Sequence, residues 1–196
     1  FAVTGRGFAV SGKTVVLACG GPNLPQLGGD LGGITMAEQL GHTVEPVAPA
    51  HVGITVADDW TGALAGLWMD VELKLLAGKR CLAQAQGSML FTSGALTGEA
   101  VFNISGEVSP ALSAGEALTL CVNFHPDLAQ AEVAQWLHRV FGERTRELAE
   151  KALDYIVPQR LGALLLQRHK HKHGIRVMQL DERHRLALLE DMTSLR

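Results

Sequence analysis

The sequence predicts an α+β protein in which a small antiparallel β-barrel is followed by a helical subdomain and preceded by a terminal strand and helix. Three observations carry this reading. From about residue 47 to Phe124 apolar residues recur with period two, clearest in Val71, Leu73 and Leu75 alternating with Glu72 and Lys74. After Pro126 the period becomes helical, with Val133, Trp136, Leu137, Val140 and Phe141 on one face. Before residue 47 a nearly continuous apolar run, Thr14-Val15-Val16-Leu17-Ala18, leads into glycines and a helical stretch, as a strand covered on both faces would.

Taken in order, Phe1 to Val10 reads as a strand with a turn at Gly5 to Gly7, and Gly12-Lys13 turns the chain into the apolar run. That run ends at Cys19-Gly20-Gly21-Pro22. Pro25, Gly28, Gly29, Gly32 and Gly33 follow, then a helix over Ile34 to Leu40 with Gly41 placed as its left-handed cap.

In the β region, Leu118, Leu120, Val122 and Phe124 alternate with Thr119, Cys121, Asn123 and His125. Turns at Ala77-Gly78-Lys79 and Ser113-Ala114-Gly115 separate the runs, which suits a small sheet or closed barrel with a core of its own. The first helix after Pro126 has Asp127 placed to cap its start and Gly142 to end it. Further apolar faces at Leu148, Ala152, Tyr155 and Ile156, at Leu161, Leu164 and Leu165, and at Leu186, Leu189 and Met192 give three or four helices. The expected segments are 1–46, 47–126 and 127–196.

Composition narrows the function. With 196 residues, 47% hydrophobic and 19% charged, the chain can bury a sizeable core. No apolar run approaches the roughly 20 residues of a membrane span. Cys19, Cys81 and Cys121 are widely spaced without a CxxC pair, which points to a reducing, cytoplasmic setting. A net charge of -3 and 5% aromatics give no drive towards nucleic acid, so neither nucleic acid nor membrane is an expected partner. The start at Phe1, without a signal peptide, reads as a cut from something longer.

Few residues suggest chemistry by themselves. Glycines around Gly20-Gly21 before a helix can cradle a phosphate, but the spacing is neither GxGxxG nor GxxxxGK[ST], and a tight turn uses the same residues. In the run His169-Lys170-His171-Lys172-His173, the first and last histidines share a helical face, yet no Cys, Asp or Glu stands at ligand spacing. Cations in a last helical turn capped by Gly174 explain the run, and no metal site is expected. Ser88, Ser93, Ser105, Ser109 and Ser113 lie in no nucleophile elbow, and His125 has no link to them. Asp58-Asp59 reads as a polar turn.

A family resemblance adds to this. The segment Thr14 to Gly21 resembles the FAD-associated strand of flavoproteins with a Rossmann-like FAD domain, with Cys19 in place of the usual threonine. Gly20-Gly-Pro-Asn-Leu-Pro-Gln-Leu-Gly, followed by Met36-Ala-Glu-Gln-Leu-Gly-His-Thr-Val, resembles the bacterial aminoacetone oxidase-like FAD-binding family, which includes bile-acid-reductase-like members. Leu64-Ala-Gly-Leu, the stretch Gly87 to Ser105 and Pro158-Gln-Arg-Leu resemble further motifs of that family, in its order. Ser93 stands where the family commonly has histidine, and Glu99 where it commonly has proline.

The resemblance implies that the chain is the last strand of an FAD domain carrying the barrel and helical insert, the substrate-side domain that caps the flavin in a full-length oxidoreductase. Ala18, Gly20 and Gly21 would then meet FAD through backbone atoms. Phe91, Ser93 and Glu99 would face the substrate, although a glycine-containing hairpin explains the 91–99 loop equally well. FAD is implied for the full-length protein and not for this chain alone, which lacks the pyrophosphate-binding turn; the implied partner is the rest of the FAD domain. The reading from another class is a non-catalytic barrel-plus-helix protein-interaction module.

Overall fold

The computed structural model describes every residue except Lys172 and His173, and every other side chain except that of Asp59. It divides into two compact units, Phe1–Val47 and Ala48–Arg196.

In the first unit β1 (Ala2–Gly5) and β2 (Phe8–Ser11) form an antiparallel hairpin in which Gly5 pairs with Phe8. Gly7 turns the corner at φ +82. The run Thr14–Ala18, expected as a strand, is irregular, and Val16 is 83% exposed. A strand needs a neighbour to take its N–H and C=O groups, and among the described residues none lies beside it. Helix α1 (Gly32–Gln39) begins where Asp30 Oδ1 accepts the Gly32 N–H at 2.7 Å, and Gly41 follows it at φ +90 as expected. No residue of this unit is buried; Leu24, Leu27, Leu31 and Met36 are exposed.

The second unit is built on β3 (Trp68–Ala77), β4 (Arg80–Phe91), β5 (Leu96–Thr97) and β6 (Leu118–Asn123), ordered β5-β4-β3-β6 and antiparallel throughout. Period two puts Val71, Leu73 and Leu75 on the buried face and Glu72 and Lys74 on the other. Ile54 bridges to Leu96 at one end of the sheet and Leu195 to Val122 at the other. The result is an antiparallel half-barrel, the small sheet the alternation implies, and both of these end segments line one cavity of about 510 Å³ with Leu75, Leu118 and Leu120.

Two short helices interrupt the strands, α2 (Glu99–Ser105) and α3 (Val108–Ser113). Four follow them: α4 (Gln130–Glu143), α5 (Ala149–Leu153), α6 (Gln159–Arg168) and α7 (Glu182–Ser194). Strand residues Leu73, Met89 and Phe91 and helix residues Phe141, Leu161, Leu188 and Met192 belong to a single buried cluster. Strands and helices therefore share one core instead of holding two. Each such side chain contributes about 1.5–3 kcal/mol on burial.

Local details depart from the sequence expectations. Asp127 does not cap α4: it accepts from Gln86 Nε2 at 2.9 Å, while Glu132 reaches back to the Ala129 N–H at 2.7 Å. Gly142 lies inside α4, which runs on to Glu143. Tyr155, expected on an apolar face, is half exposed, and the Arg144 guanidinium sits 3.8 Å above its ring.

Candidate functional site

Three of the sequence motifs meet at one point of the second unit. Leu64-Ala65-Gly66-Leu67 follows a 3-10 turn over Asp59–Leu64. The Gly66 N–H donates to Phe91 O at 2.8 Å, and the Phe91 N–H to Leu67 O at 3.0 Å, which ties this segment to the end of β4. Arg160, in the motif that opens α6, donates from Nη2 to the carbonyls of Ala63 and Ala65. Motifs far apart in the chain thus share one junction of backbone carbonyls and a guanidinium.

The 91–99 segment leaves this junction as a tight, self-satisfied turn. Thr92 Oγ1 accepts the Ala95 N–H at 2.9 Å and donates to Ala95 O at 2.6 Å. Beyond β5, Gly98 stands at φ +106, and a Cβ there would lie 2.6 Å from Ser88 O. Only glycine fits that approach.

The expected substrate-side residues separate here. Ser93 and Glu99 are exposed, whereas Phe91 is 1% exposed and packs in the core against Trp60, ring centroids 6.1 Å apart. Its side chain serves packing, because β4 ends with that residue on the inner face beside Met89. Glu99 opens α2 with its carboxylate oxygen near Gly87.

In the first unit, Ala18, Gly20 and Gly21 lie in the irregular stretch after Thr14. Gly20 holds φ +77, and no atom stands within 4 Å of where a Cβ would be at Gly20 or Gly21. Among the described residues neither amide makes a backbone hydrogen bond. This open, donor-bearing backbone fits the approach of an anionic cofactor such as FAD.

Histidines outside these segments were not expected to matter. His125 follows β6 and packs edge-on against Trp136 at 5.7 Å, its Nε2 buried without a partner; burial pushes its imidazole below the ordinary range. The alternation Asn123, His125 gave its place in a strand pattern but not its burial. His171 is also pushed down, first by burial and then by the neighbouring His184 and His169. Among the described residues no cluster could hold a metal ion; His173, half of the considered pair, lies outside them. Among the described residues no helix is long and apolar enough to cross a membrane.

An antiparallel half-barrel running into a helical bundle, preceded by a glycine-bearing βα segment, defines a barrel-and-helix domain of the kind the motifs suggested. Comparison with known families agrees: residues 48–196 match the HI0933-like protein barrel and H2TH domain. The chain belongs to the HI0933-like flavoprotein family.

Two relatives are informative. A 3-dehydro-bile acid delta(4,6)-reductase of Clostridium scindens is 29% identical over 167 residues, 85% of this chain and 41% of the relative. A ribosomal RNA dihydrouridine synthase of Haemophilus influenzae is 32% identical over 122 residues, 61% of this chain and 29% of the relative. The chain therefore spans less than half the length of either.

Proposed function

We propose that the full-length protein is an FAD-dependent reductase of a carbon–carbon double bond conjugated to a carbonyl, and that this chain forms its substrate-side domain. The observation that carries this is the chemistry common to two relatives whose named substrates differ. One, by its name, reduces double bonds of a 3-oxo steroid, and the other makes dihydrouridine, which is uridine with its carbonyl-conjugated ring double bond saturated.

When bound, FAD supplies the two-electron reduction. The chain's own part is to bind and orient. Among the described residues the backbone at Ala18, Gly20 and Gly21 offers N–H donors without a backbone partner to the cofactor, and Gly20 holds φ +77 in open space. Ser93 and Glu99, exposed on a turn that Thr92 and Gly98 fix, offer a hydroxyl and a carboxylate to the substrate. The junction around Arg160 holds that turn against the helices.

The test is the visible spectrum of the purified full-length protein, followed by anaerobic reduction and addition of a 3-oxo-4-ene steroid or a uridine-containing RNA. Oxidised-flavin bands that bleach and then return on adding one of these are expected. A colourless full-length protein that takes up no added FAD overturns the reading and favours the interaction module.

A further inference from the structure

The segment from Ala50 to Ile54 is pinned along two elements of the candidate substrate side. Ile54 exchanges backbone hydrogen bonds with Leu96 at 3.0 and 2.9 Å, and a Cβ at Gly53 would lie 3.2 Å from both Leu96 O and Thr97 Cγ2. Towards α2, the Val52 N–H donates to Ser105 Oγ at 3.1 Å, and that hydroxyl donates to Phe102 O at 2.8 Å. Ser105 is 1% exposed, so a buried hydroxyl is committed to holding this segment.

His51 stands between these anchors at φ +57. Among the described residues no helix ends there, so this left-handed backbone is not a helix cap. A non-glycine residue seldom takes that conformation, and it persists only where the surroundings over-determine it. The imidazole rests on the Phe102 ring, centroids 4.7 Å apart and planes 32° from parallel. His51 is nevertheless exposed, and among the described residues its ring nitrogens have no hydrogen-bond partner.

Phe102 lies one helical turn after Glu99 on α2, which puts the two side chains on one face. His51, Phe102 and Glu99 therefore form a row that leads to the 91–99 turn. That turn offers the Ser93 hydroxyl and the Glu99 carboxylate to a substrate, and neither polarises a carbonyl strongly. An ionised carboxylate only accepts, and it repels negative charge growing on an oxygen; a hydroxyl is a neutral donor. An imidazole donates an N–H in either protonation state, and a charge-assisted one when protonated.

We propose that His51 donates a hydrogen bond to the substrate carbonyl that conjugates the reducible double bond. The inference rests on the reductase reading and adds to it the residue that polarises the substrate. As electrons enter the double bond, negative charge builds on the carbonyl oxygen, and a donor already held in place strengthens its bond as that charge grows. The stack on Phe102 and the anchor on Ser105 supply that fixed placement, which gives the strained backbone at His51 a purpose.

The experiment takes two measurements on the full-length protein. In its oxidised form, the ring C–H resonances of His51, assigned by their loss in His51→Asn, should shift as cyclohex-2-enone is added. In stopped-flow reoxidation of the reduced protein by a 3-oxo-4-ene steroid or a uridine-containing RNA, His51→Gly should lower the maximal rate about a hundredfold, as loss of one oxyanion donor does, and move the half-saturating concentration by less than about threefold. Glycine removes the imidazole and relieves the backbone together, so a merely structural role predicts no loss from it. His51→Asn tolerates the left-handed backbone and keeps an N–H donor, and should recover about tenfold of the rate. Ring resonances that ignore the enone, or a His51→Gly variant that reoxidises at the parent's rate, overturn the proposal and leave the reductase reading standing. A parent protein that neither substrate reoxidises overturns both.

Discussion

Arg160 donates from its guanidinium to the carbonyl of Ala65 at 3.0 Å, joining the first turn of α6 to a loop 95 positions earlier in the chain. The same guanidinium also bonds Ala63 O, so one exposed side chain replaces the water that two loop carbonyls would otherwise keep. Charge-assisted bonds of this kind contribute about 1.5–3 kcal/mol at most and less when solvent-exposed. Arg160→Met should cost about 1 kcal/mol in urea denaturation. Arg160→Lys should recover little of it, since a point ammonium cannot span two carbonyls as the planar fork does.

Gly98 and Gly94 lie four positions apart on the candidate substrate turn and should behave oppositely. Gly98→Ala forces a Cβ to within 2.6 Å of Ser88 O at φ +106, so it should destabilise by about 1–3 kcal/mol from backbone strain alone, with the clash added. Gly94→Ala meets nothing within 4 Å and has no positive φ, so its unfolding midpoint should stay within about 0.5 kcal/mol of the parent.

The cap of α4 gives a second contrast. Glu132→Ala removes the acceptor of the Ala129 N–H and should cost about 0.5–2 kcal/mol, whereas Asp127→Ala loses only an exposed bond to Gln86 and should be nearly neutral. Thermal melts of the two variants check the order; a larger loss for Asp127→Ala would return the cap to the position the sequence suggests.

The sequence determines an element visibly where one physical signal dominates. The alternation at Val71, Leu73 and Leu75 and the helical face from Val133 to Phe141 are set by burial, and burial fixes periodicity. Gly41 was legible because a left-handed residue ends the helix. Thr14–Ala18 misled because an apolar run states a need for neighbours without supplying them. The motif around Phe91 implies a substrate-facing residue, but its place on the inner face depends on the register between β3 and β4, which no local pattern encodes.

Among the described residues, His125 and His171 should weaken the fold as the medium turns mildly acidic. His125 and His171 both have folded-state values below the 6.5 of an unfolded histidine, so the unfolded chain binds protons first as the medium acidifies. Their contribution is complete above about pH 6.5 and is lost as pH falls through that value towards their folded ones. The melting temperature should therefore drop from neutral pH into the mildly acidic range, and His125→Phe should flatten that drop by removing the more buried imidazole. A variant whose melting temperature still falls as steeply as the parent's would show that other groups govern this range.

The two units should respond differently to a protease. Residues 1–47 bury no side chain, and Leu24, Leu27, Leu31 and Met36 are exposed, so nothing in that unit offsets the cost of ordering its backbone. Residues 48–196 share one continuous core from Leu64 to Leu195. Brief trypsin treatment should cut at Arg6 or Lys13 well before any site in the second unit, leaving a resistant product that contains residues 48–196. Mass spectrometry of the time course identifies it. Early cleavage after Lys74 or Arg80 would instead mean that the sheet opens as readily as the first unit, and the shared core of strands and helices would then not be the stabilising centre that its burial implies.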